Sequence, residues 1–235
     1  MGTEDNGWEA SAWAWISDMG ELGDYARQHV LDKPMLERIR GRGFKAALDV
    51  GCGEGRFCRL LKAEGIETTG VEPAPTLREA ALSRDPTGRY LDAWAEHLPL
   101  ETETFDLVVS YLTLIDIDEI DAAIVEMTRV LKPGGSLLIA NLNSFSTAGG
   151  WQKREDGTQY FMLDNYLTER AEWVSWHGVS VRNWHRPFSR YIQLLLAAGL
   201  QLVYFDEPTP IGGEATKAER YRRSPYFHIM EWQKT

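Results

Sequence analysis

A short glycine run follows the first strongly apolar segment of the chain, and its position gives it chemical interest. Residues 46–50 (AALDV) predict a buried strand, and the GCGEG that begins at Gly51 follows them directly. Glycines at such a turn let the backbone bend sharply and approach a ligand where a Cβ would collide. The carboxylates of Asp49 and Glu54 place negative charge beside the turn. We therefore expect a ligand-binding turn between a strand and a helix.

A second polar group, Glu72, ends the next apolar segment, residues 68–71. In a doubly wound sheet, ligands bind outside the carboxyl ends of the strands, so side chains that follow neighbouring strands lie close together. A carboxylate in this position can accept hydrogen bonds from a ribose diol. The glycine turn and Glu72 together indicate a nucleoside.

The glycine run leaves two kinds of nucleoside cofactor open. A dinucleotide is bound by G-x-G-x-x-G at a helix N-terminus, which seats its pyrophosphate. In this chain Arg56 stands where the third glycine belongs. The two acidic residues, Asp49 and Glu54, suit a sulfonium with an α-amino group better than a pyrophosphate.

Strand and helix patterns alternate over about 100 residues, which is typical of a parallel doubly wound sheet. Residues 22–40 predict one or two helices broken at Pro34, whereas residues 144–186 fit neither pattern and are a candidate insertion. The predicted strands are 46–50, 68–71, 105–110, 136–142, 200–205 and 226–232, and the predicted helices are 57–63, 77–83, 118–131 and 187–198.

Composition narrows the classes of partner. With 25 Lys+Arg, 35 Asp+Glu and a net charge of −10, the chain repels phosphate backbones and anionic lipid, so we expect neither nucleic acid nor membrane as a partner. The two cysteines cannot build a four-ligand zinc site, and we expect no metal. A basic leader and a long apolar stretch are both missing, which favours a cytoplasmic protein, monomeric or homodimeric, with a small-molecule substrate.

Four motifs in this order resemble those of class I S-adenosylmethionine-dependent methyltransferases. They are ALDVGCGEG, the acidic Glu72 after TTGV, AEHLPLETETFDLVVS and VLKPGGSLLIA, and the resemblance covers roughly residues 25–143. The tail WHRPFSRYIQLLLAAGLQLVYFDEP is similar to small-molecule members, including relatives of quinone-biosynthesis methyltransferases. The resemblance implies an α/β fold with a doubly wound, mostly parallel seven-stranded sheet, the Rossmann-like methyltransferase fold. It also implies S-adenosyl-L-methionine as cofactor, with S-adenosyl-L-homocysteine as product.

The resemblance also implies roles for individual residues. Asp49, Gly51, Cys52 and Gly53 line the methionine part of the cofactor. Glu72 holds the ribose, and Arg27 pairs with the cofactor's carboxylate. The full implied set is Tyr25, Arg27, Asp49, Gly51, Cys52, Gly53, Glu72, Pro73, Ala74, Trp94, Ala95, Ser110, Tyr111 and Leu112.

The adenine end departs from the pattern of the family. Trp94 stands where many relatives have an acid that binds the adenine amino group. Trp94 could stack on the purine, Asp92 could substitute from two residues upstream, or backbone groups near Ala95 could suffice.

The acceptor end is predicted from strand ends and from the aromatic insertion. Asn141, Asn143, Trp151 and Trp184 are the candidate substrate contacts, and the insertion forms either ordinary core or a lid over an apolar substrate. His185 is the candidate catalytic base for an acceptor hydroxyl or amine. Asp116, Asp118 and Asp121 are interpreted as the acidic start of a helix rather than as metal ligands.

These observations predict four units and one activity. The units are an N-terminal helical segment (1–43), a cofactor-binding core (44–143), an inserted substrate lid (144–186) and a C-terminal helix and strands that complete the sheet (187–235). The expected activity is transfer of a methyl group to the oxygen or nitrogen of a small, partly apolar or aromatic metabolite. The alternative is a catalytically silent cofactor-binding module or partner subunit, and a nicotinamide dehydrogenase ranks third.

Overall fold

The computed structural model describes residues 5–235 and contains one large sheet flanked by helices. The helices are α1 (Trp8–Met19), α2 (Asp32–Glu37), α3 (Arg56–Ala63), α4 (Pro75–Arg84), α5 (Ile120–Val130), α6 (Ser144–Thr147), α7 (Phe188–Ala197) and α8 (Ala215–Arg223). The strands are β1 (Ala46–Val50), β2 (Glu67–Val71), β3 (Arg89–Leu91), β4 (Phe105–Tyr111), β5 (Leu131–Leu142), β6 (Gly149–Lys153), β7 (Gln159–Leu163), β8 (Arg170–Trp176), β9 (Val179–His185), β10 (Leu200–Asp206) and β11 (Phe227–Lys234).

The large sheet has seven strands in the order β10-β11-β5-β4-β1-β2-β3. The five strands from β5 to β3 are parallel, and β11 runs antiparallel to both β5 and β10. This is the doubly wound, mostly parallel sheet expected from the sequence, and the expectation is confirmed. The short strand β3 has too little apolar pattern to be seen in the sequence.

The sheet is buried on both faces. Successive residues of a strand point to opposite sides, so each strand contributes apolar side chains to both layers. Val108 of β4 faces the side covered by α5 and α7, while Leu107 and Val109 face the side covered by α3 and the N-terminal helices. Two apolar layers therefore fix the strands, and the loops at their carboxyl ends are left to form a site.

The N-terminal segment differs from its prediction in one respect. Residues 25–37 form one continuous helical stretch that is not broken at Pro34. The π-helical turn Arg27–Leu31 directly precedes α2, so the regular i→i−4 ladder that a proline would interrupt is already interrupted there. Such turns are rare in proteins, and those that occur often lie at functional sites.

The candidate insertion consists of α6 and two antiparallel hairpins, β6–β7 and β8–β9. The second hairpin packs against α1: the hydroxyl of Ser11 donates to the carbonyl of Ser180 (2.8 Å) and accepts from its N–H (2.9 Å). The insertion therefore holds α1, an element that the sequence patterns did not predict. Its description as a lid stays a prediction.

Within residues 5–235, the structure contains no helix with the length and apolar character needed to cross a membrane.

Candidate cofactor-binding site

A cavity of about 330 Å³ lies at the carboxyl ends of β1, β2 and β4. This size falls at the lower end of the range found for small-molecule sites. Helix α1, the π-helical turn and the loops that follow β1 to β4 form its walls. They contribute Asp5, Asn6, Trp8, Glu9, Trp15, Arg27, Asp49, Gly51, Cys52, Gly53, Arg56, Phe57, Glu72, Pro73, Ala74, Pro75, Leu77, Ala93, Trp94, Ala95, Glu96, Tyr111, Leu112, Thr113, Asp116 and Ile117.

The turn after β1 requires glycine at Gly51. Its φ is +71°, and a Cβ there would lie 2.3 Å from Cγ2 of Thr113, in the loop that follows β4. The N–H groups of Gly51 and Cys52 donate to the carbonyl of Val71 at 2.9 and 3.0 Å, which ties the turn to the end of β2. The main chain therefore forms part of the cavity wall, as the glycine spacing predicted.

Glu72 is buried at the end of β2 and faces this turn. Its carboxylate accepts the N–H of Gly53 at 3.0 Å and the N–H of Ala74 at 2.9 Å. Burial raises the pKa of Glu72 to about 7, although these two hydrogen bonds and nearby Arg78 oppose the rise. Each carboxylate oxygen keeps a further lone pair that can accept a hydroxyl group of a ligand.

Asp49, the fourth residue of β1, is the most enclosed acid of the cavity at 1% exposure. Its Oδ2 accepts a weak hydrogen bond from the Cys58 thiol at 3.5 Å, and its Oδ1 has no partner among residues 5–235. Burial raises the pKa of Asp49 to about 7, and the neighbouring Glu72 and Glu54 add to the rise. A buried carboxylate oxygen without a donor is suited to a cationic ligand.

Both arginines of the cavity already have acidic partners. Arg27, in the π-helical turn, pairs with Asp24 at 3.1 Å, and its guanidinium lies 5.6 Å from the ring centre of Trp15. Arg56 pairs with Asp32, and the hydroxyl of Tyr111 donates to that same carboxylate. Because Asp5, Glu9, Asp49, Glu72, Glu96 and Asp116 also line the cavity, its field is negative and favours a positively charged ligand over a pyrophosphate.

Comparison with known proteins agrees with this chemistry. Residues 48–139 match a family model described as a methyltransferase domain. A malonyl-[acyl-carrier protein] O-methyltransferase of Serratia marcescens is 31% identical over 141 residues, which are 58% of this chain and 54% of that protein. A ubiquinone biosynthesis O-methyltransferase of Pectobacterium atrosepticum is 27% identical over 160 residues, 66% of each chain.

Among solved structures, a protein of Listeria monocytogenes assigned to the S-adenosylmethionine-dependent methyltransferases superimposes with a TM-score of 0.75 at 25% identity. The match covers 86% of this chain and 94% of that one. The chain therefore contains a methyltransferase domain at residues 48–139, and its fold is shared with S-adenosylmethionine-dependent methyltransferases. It spans about half the length of the first curated relatives that it matches.

The methyltransferase cavity brings together most of the residues implied for the cofactor. Its walls include Arg27, Asp49, Gly51, Cys52, Gly53, Glu72, Pro73, Ala74, Trp94, Ala95, Tyr111 and Leu112. The other two lie elsewhere. Tyr25 packs its ring on His29 and Tyr221, and Ser110 is enclosed within β4.

The expected adenine end of the methyltransferase site contains Trp94 but not Asp92. Trp94 and Ala95 both line the cavity, whereas Asp92 forms an exposed ion pair with Arg78 at 3.1 Å. Of the three alternatives for replacing the family's acid, stacking on Trp94 and backbone contacts at Ala95 are therefore the two that fit the cavity.

The residues expected at the acceptor end lie outside this cavity. Asn141 is enclosed in the sheet, and Asn143 donates to Glu207 and to backbone carbonyls near Phe227. The indole N–H of Trp151 donates to Tyr226, and that of Trp184 donates to Asp118. The Trp151 contact joins the first hairpin to the C-terminal segment, and the Trp184 contact joins β9 to the loop before α5.

His185, the expected base, has both ring nitrogens occupied. Nδ1 lies 2.7 Å from the hydroxyl of Thr147, and Nε2 lies 2.8 Å from the carbonyl of Tyr166. The ring is 3% exposed, and burial lowers the pKa of His185. His185 does not line the cavity, and both of its ring partners lie within the insertion.

Sequence reasoning missed two contributors to the methyltransferase site. Helix α1 supplies Trp8 and Trp15 to the cavity wall, and Glu9 accepts hydrogen bonds from the N–H and hydroxyl of Thr76 at the start of α4. Asp116 also lines the cavity and does not belong to a helix start, since α5 begins at Ile120. The uneven placement of tryptophans near the N-terminus was the available signal for α1.

Proposed function

We propose that the protein transfers the methyl group of S-adenosylmethionine to an oxygen or nitrogen atom of a small, partly apolar molecule. The observation that carries the proposal is the acidic cavity of this methyltransferase domain. In it the glycine turn, Glu72 and Asp49, whose Oδ1 has no partner among the described residues, face one ligand-sized space. Two relatives whose names describe O-methyltransferases favour oxygen.

The residues of the cavity fit the cofactor group by group. Asp49 would bind its α-amino group, Arg27 its carboxylate, and Glu72 its ribose hydroxyls, with Trp94 against the adenine. The bound cofactor supplies an activated methyl on a sulfonium. The protein's part is to exclude water, which Trp8 and Trp15 of α1 do, and to hold the acceptor in line with that methyl.

The acceptor is proposed to be a small molecule, and the subunit a monomer or a homodimer in the cytoplasm. The named relatives act on a malonyl group carried by a protein and in ubiquinone biosynthesis. Acceptors that combine a polar nucleophile with an apolar body are consistent with a site covered by tryptophans.

The cofactor assignment is tested by Glu72→Gln. This variant keeps the shape of the side chain but loses a charged acceptor for the ribose, so its affinity for S-adenosylhomocysteine should fall roughly tenfold. Titration calorimetry measures the change. Glu79→Gln, an exposed change on α4, is the matched control and should bind as the wild type does. Equal affinities for wild type and Glu72→Gln would refute the ribose assignment.

Catalysis is tested separately from binding. Wild-type protein incubated with methyl-labelled S-adenosylmethionine and a small-molecule extract should produce a labelled product. Binding without transfer to any fraction would instead favour a silent cofactor-binding module.

A further inference from the structure

Asp116 is a cavity residue to which neither the glycine motif nor the ribose position assigns a role. It follows β4 in the loop that begins at Leu112, and its N–H donates to the carbonyl of Thr113 at 2.8 Å. Thr113 in turn packs against Gly51. The loop therefore places a half-buried carboxyl group on the cavity wall next to the glycine turn.

Side chains from four other elements surround this carboxyl group. Trp8 of α1 and Asn183 of β9 hydrogen-bond to it, while Glu72 after β2 and Arg27 of the π-helical turn act on it through their charges. Burial raises the pKa of Asp116 to about 8, and the nearby Glu72 adds to the rise. Asp116 is therefore sensitive to any charge that enters the cavity.

The other acids of the cavity have different partners. Glu72 binds two backbone N–H groups, Asp49 lies at the glycine turn beside Cys58, and Glu9 caps α4. Asp116 is held by side chains of α1, which lines the cavity, and of β9, which packs against α1. This position suits a group that acts where an acceptor meets the cofactor, rather than one that anchors the cofactor's nucleoside.

We propose that Asp116 faces the transferred methyl group and accepts the proton that the acceptor loses. This inference rests on the proposed function. The lone pair of the acceptor's O–H or N–H forms the new bond to the methyl carbon, the carbon–sulfur bond breaks, and its electron pair leaves sulfur neutral as a thioether. The acceptor's proton moves to the Asp116 carboxylate. The positive sulfonium lowers the pKa of Asp116 on binding and so keeps it ionised for this step.

A base in the cavity also restricts the chemical class of the acceptor. A carboxylate acceptor needs no base, and the negative cavity would repel it. An alcohol, phenol or amine enters with its proton and gains from Asp116. The acceptor of this protein is therefore expected to differ in chemistry from a free carboxyl group.

The test uses two nucleosides and does not need the natural acceptor. Sinefungin carries a protonated amine near the position of the transferred methyl, whereas S-adenosylhomocysteine has a neutral sulfur and no such group. Calorimetry should show that Asp116→Asn lowers the affinity for sinefungin roughly tenfold relative to that for S-adenosylhomocysteine. In the wild type, the preference for sinefungin should decline as the pH falls and Asp116 becomes protonated, and Asp116→Asn should abolish that decline.

Two variants separate this role from a structural one. Asp121→Asn, an exposed carboxylate paired with Arg190, is the matched control and should keep the wild-type preference. Asn183→Ala removes a hydrogen bond to Asp116 from β9 but leaves the carboxylate in place, so the preference should persist.

Other results would overturn the inference. If Asp116→Asn and Asn183→Ala weaken both nucleosides equally, Asp116 only fastens α1 and β9. If Asp116→Asn does not fold, a wild-type preference that does not change with pH would exclude the role. If the wild type binds neither nucleoside, the proposed function fails and this inference fails with it.

Discussion

Asp49 and Glu72 are carboxyl groups whose surroundings oppose ionisation in the ligand-free protein. Burial raises the pKa of each to about 7, from 3.8 for Asp49 and 4.5 for Glu72 in the unfolded chain. A group whose pKa is raised by folding binds protons more tightly in the folded state. The ligand-free protein should therefore lose stability as the pH rises from about 4 through about 7, and a bound cation should restore part of it.

This coupling gives a prediction for thermal stability. The rise in Tm caused by S-adenosylmethionine should be larger at pH 8 than at pH 5.5, because the ionised carboxylates then face a positive ligand. Asp49→Asn should raise the Tm of the ligand-free protein at pH 8 by a few degrees, about 2–4 °C per kcal/mol recovered, and should weaken cofactor binding. Differential scanning fluorimetry across this pH range measures both effects.

The matched variant for this series is Glu79→Gln, which alters an exposed carboxylate and should keep the wild-type curve. A ligand-induced rise in Tm that is independent of pH would contradict the assignment of Asp49 and Glu72 to a cationic ligand.

At the scale of elements, α1 depends on the β8–β9 hairpin for its position. Ser11 is 4% exposed, and its hydroxyl bonds both backbone groups of Ser180. Gly7, which precedes the helix, has a φ of +83°, and a Cβ there would lie 2.3 Å from the carbonyl oxygen of Ser180. The helix and the hairpin therefore approach each other closely, and together they hold Trp8 and Trp15 over the cavity.

Ser11→Ala should loosen this cover. The change leaves the N–H and carbonyl of Ser180 without their partner, at a cost of about 1–3 kcal/mol. Amide hydrogen exchange should become faster in residues 8–19 and stay unchanged in β1, and S-adenosylhomocysteine should bind severalfold more weakly.

Ser175→Ala removes the exposed hydroxyl contact with Ser180 on the same hairpin and serves as the control, with wild-type exchange and binding expected. Unchanged cofactor affinity in Ser11→Ala would mean that α1 does not contribute to binding.

At the scale of the whole molecule, a buried ion cluster joins the N-terminal segment to the sheet at the end away from the cavity. Glu231 of β11 is fully buried and bonds Arg38, Arg42 and Ser136. Burial alone would raise the pKa of Glu231, but the hydrogen bonds from Arg42, Arg38 and Ser136 outweigh it and lower the pKa. The lowered pKa contributes stability above the unfolded value, and this contribution is lost as the pH falls through the folded value.

Glu231→Gln should therefore destabilise the fold without touching the site. We expect a loss of about 2 kcal/mol in the free energy of unfolding at pH 7, because two arginines lose their charged partner. Denaturant unfolding measures the loss, and calorimetry with S-adenosylhomocysteine should give the wild-type affinity for the folded variant. The difference in stability should shrink in acid, where Glu231 is protonated, and a constant difference would contradict the assignment.

Local patterns predicted the central sheet well because its strands are short, apolar and bounded by glycine or proline turns. The prediction for β1 coincided with Ala46–Val50, and those for β2 and β10 were within a residue of the observed strands. The order of these turns also placed Gly51, Glu72 and Trp94 at one edge of the sheet. The carboxyl ends of neighbouring parallel strands lie side by side at that edge, regardless of the conformation of the loops.

The covering elements could not be predicted in the same way. Helix α1 shows little amphipathic pattern, since Trp13 is 72% exposed while Trp8 and Trp15 face the cavity. In residues 144–186 the two strands of each hairpin pair only with one another, and large apolar side chains stay exposed. The alternation of apolar and polar residues along these strands is therefore weak. His185 and Trp184 therefore suggested an acceptor site that their actual contacts do not support.

The amino-acid sequence by itself determined the sheet, its glycine turn and the acid after β2, because these follow from the spacing of neighbouring residues along the chain. Only the tertiary structure decided which distant side chains share the cavity. Trp8, Asp116 and Asn183 come from an N-terminal helix, a loop after β4 and a late hairpin, and they meet because long-range packing places those three segments together. The local spacing of residues does not predict contacts between segments that are so far apart in the chain.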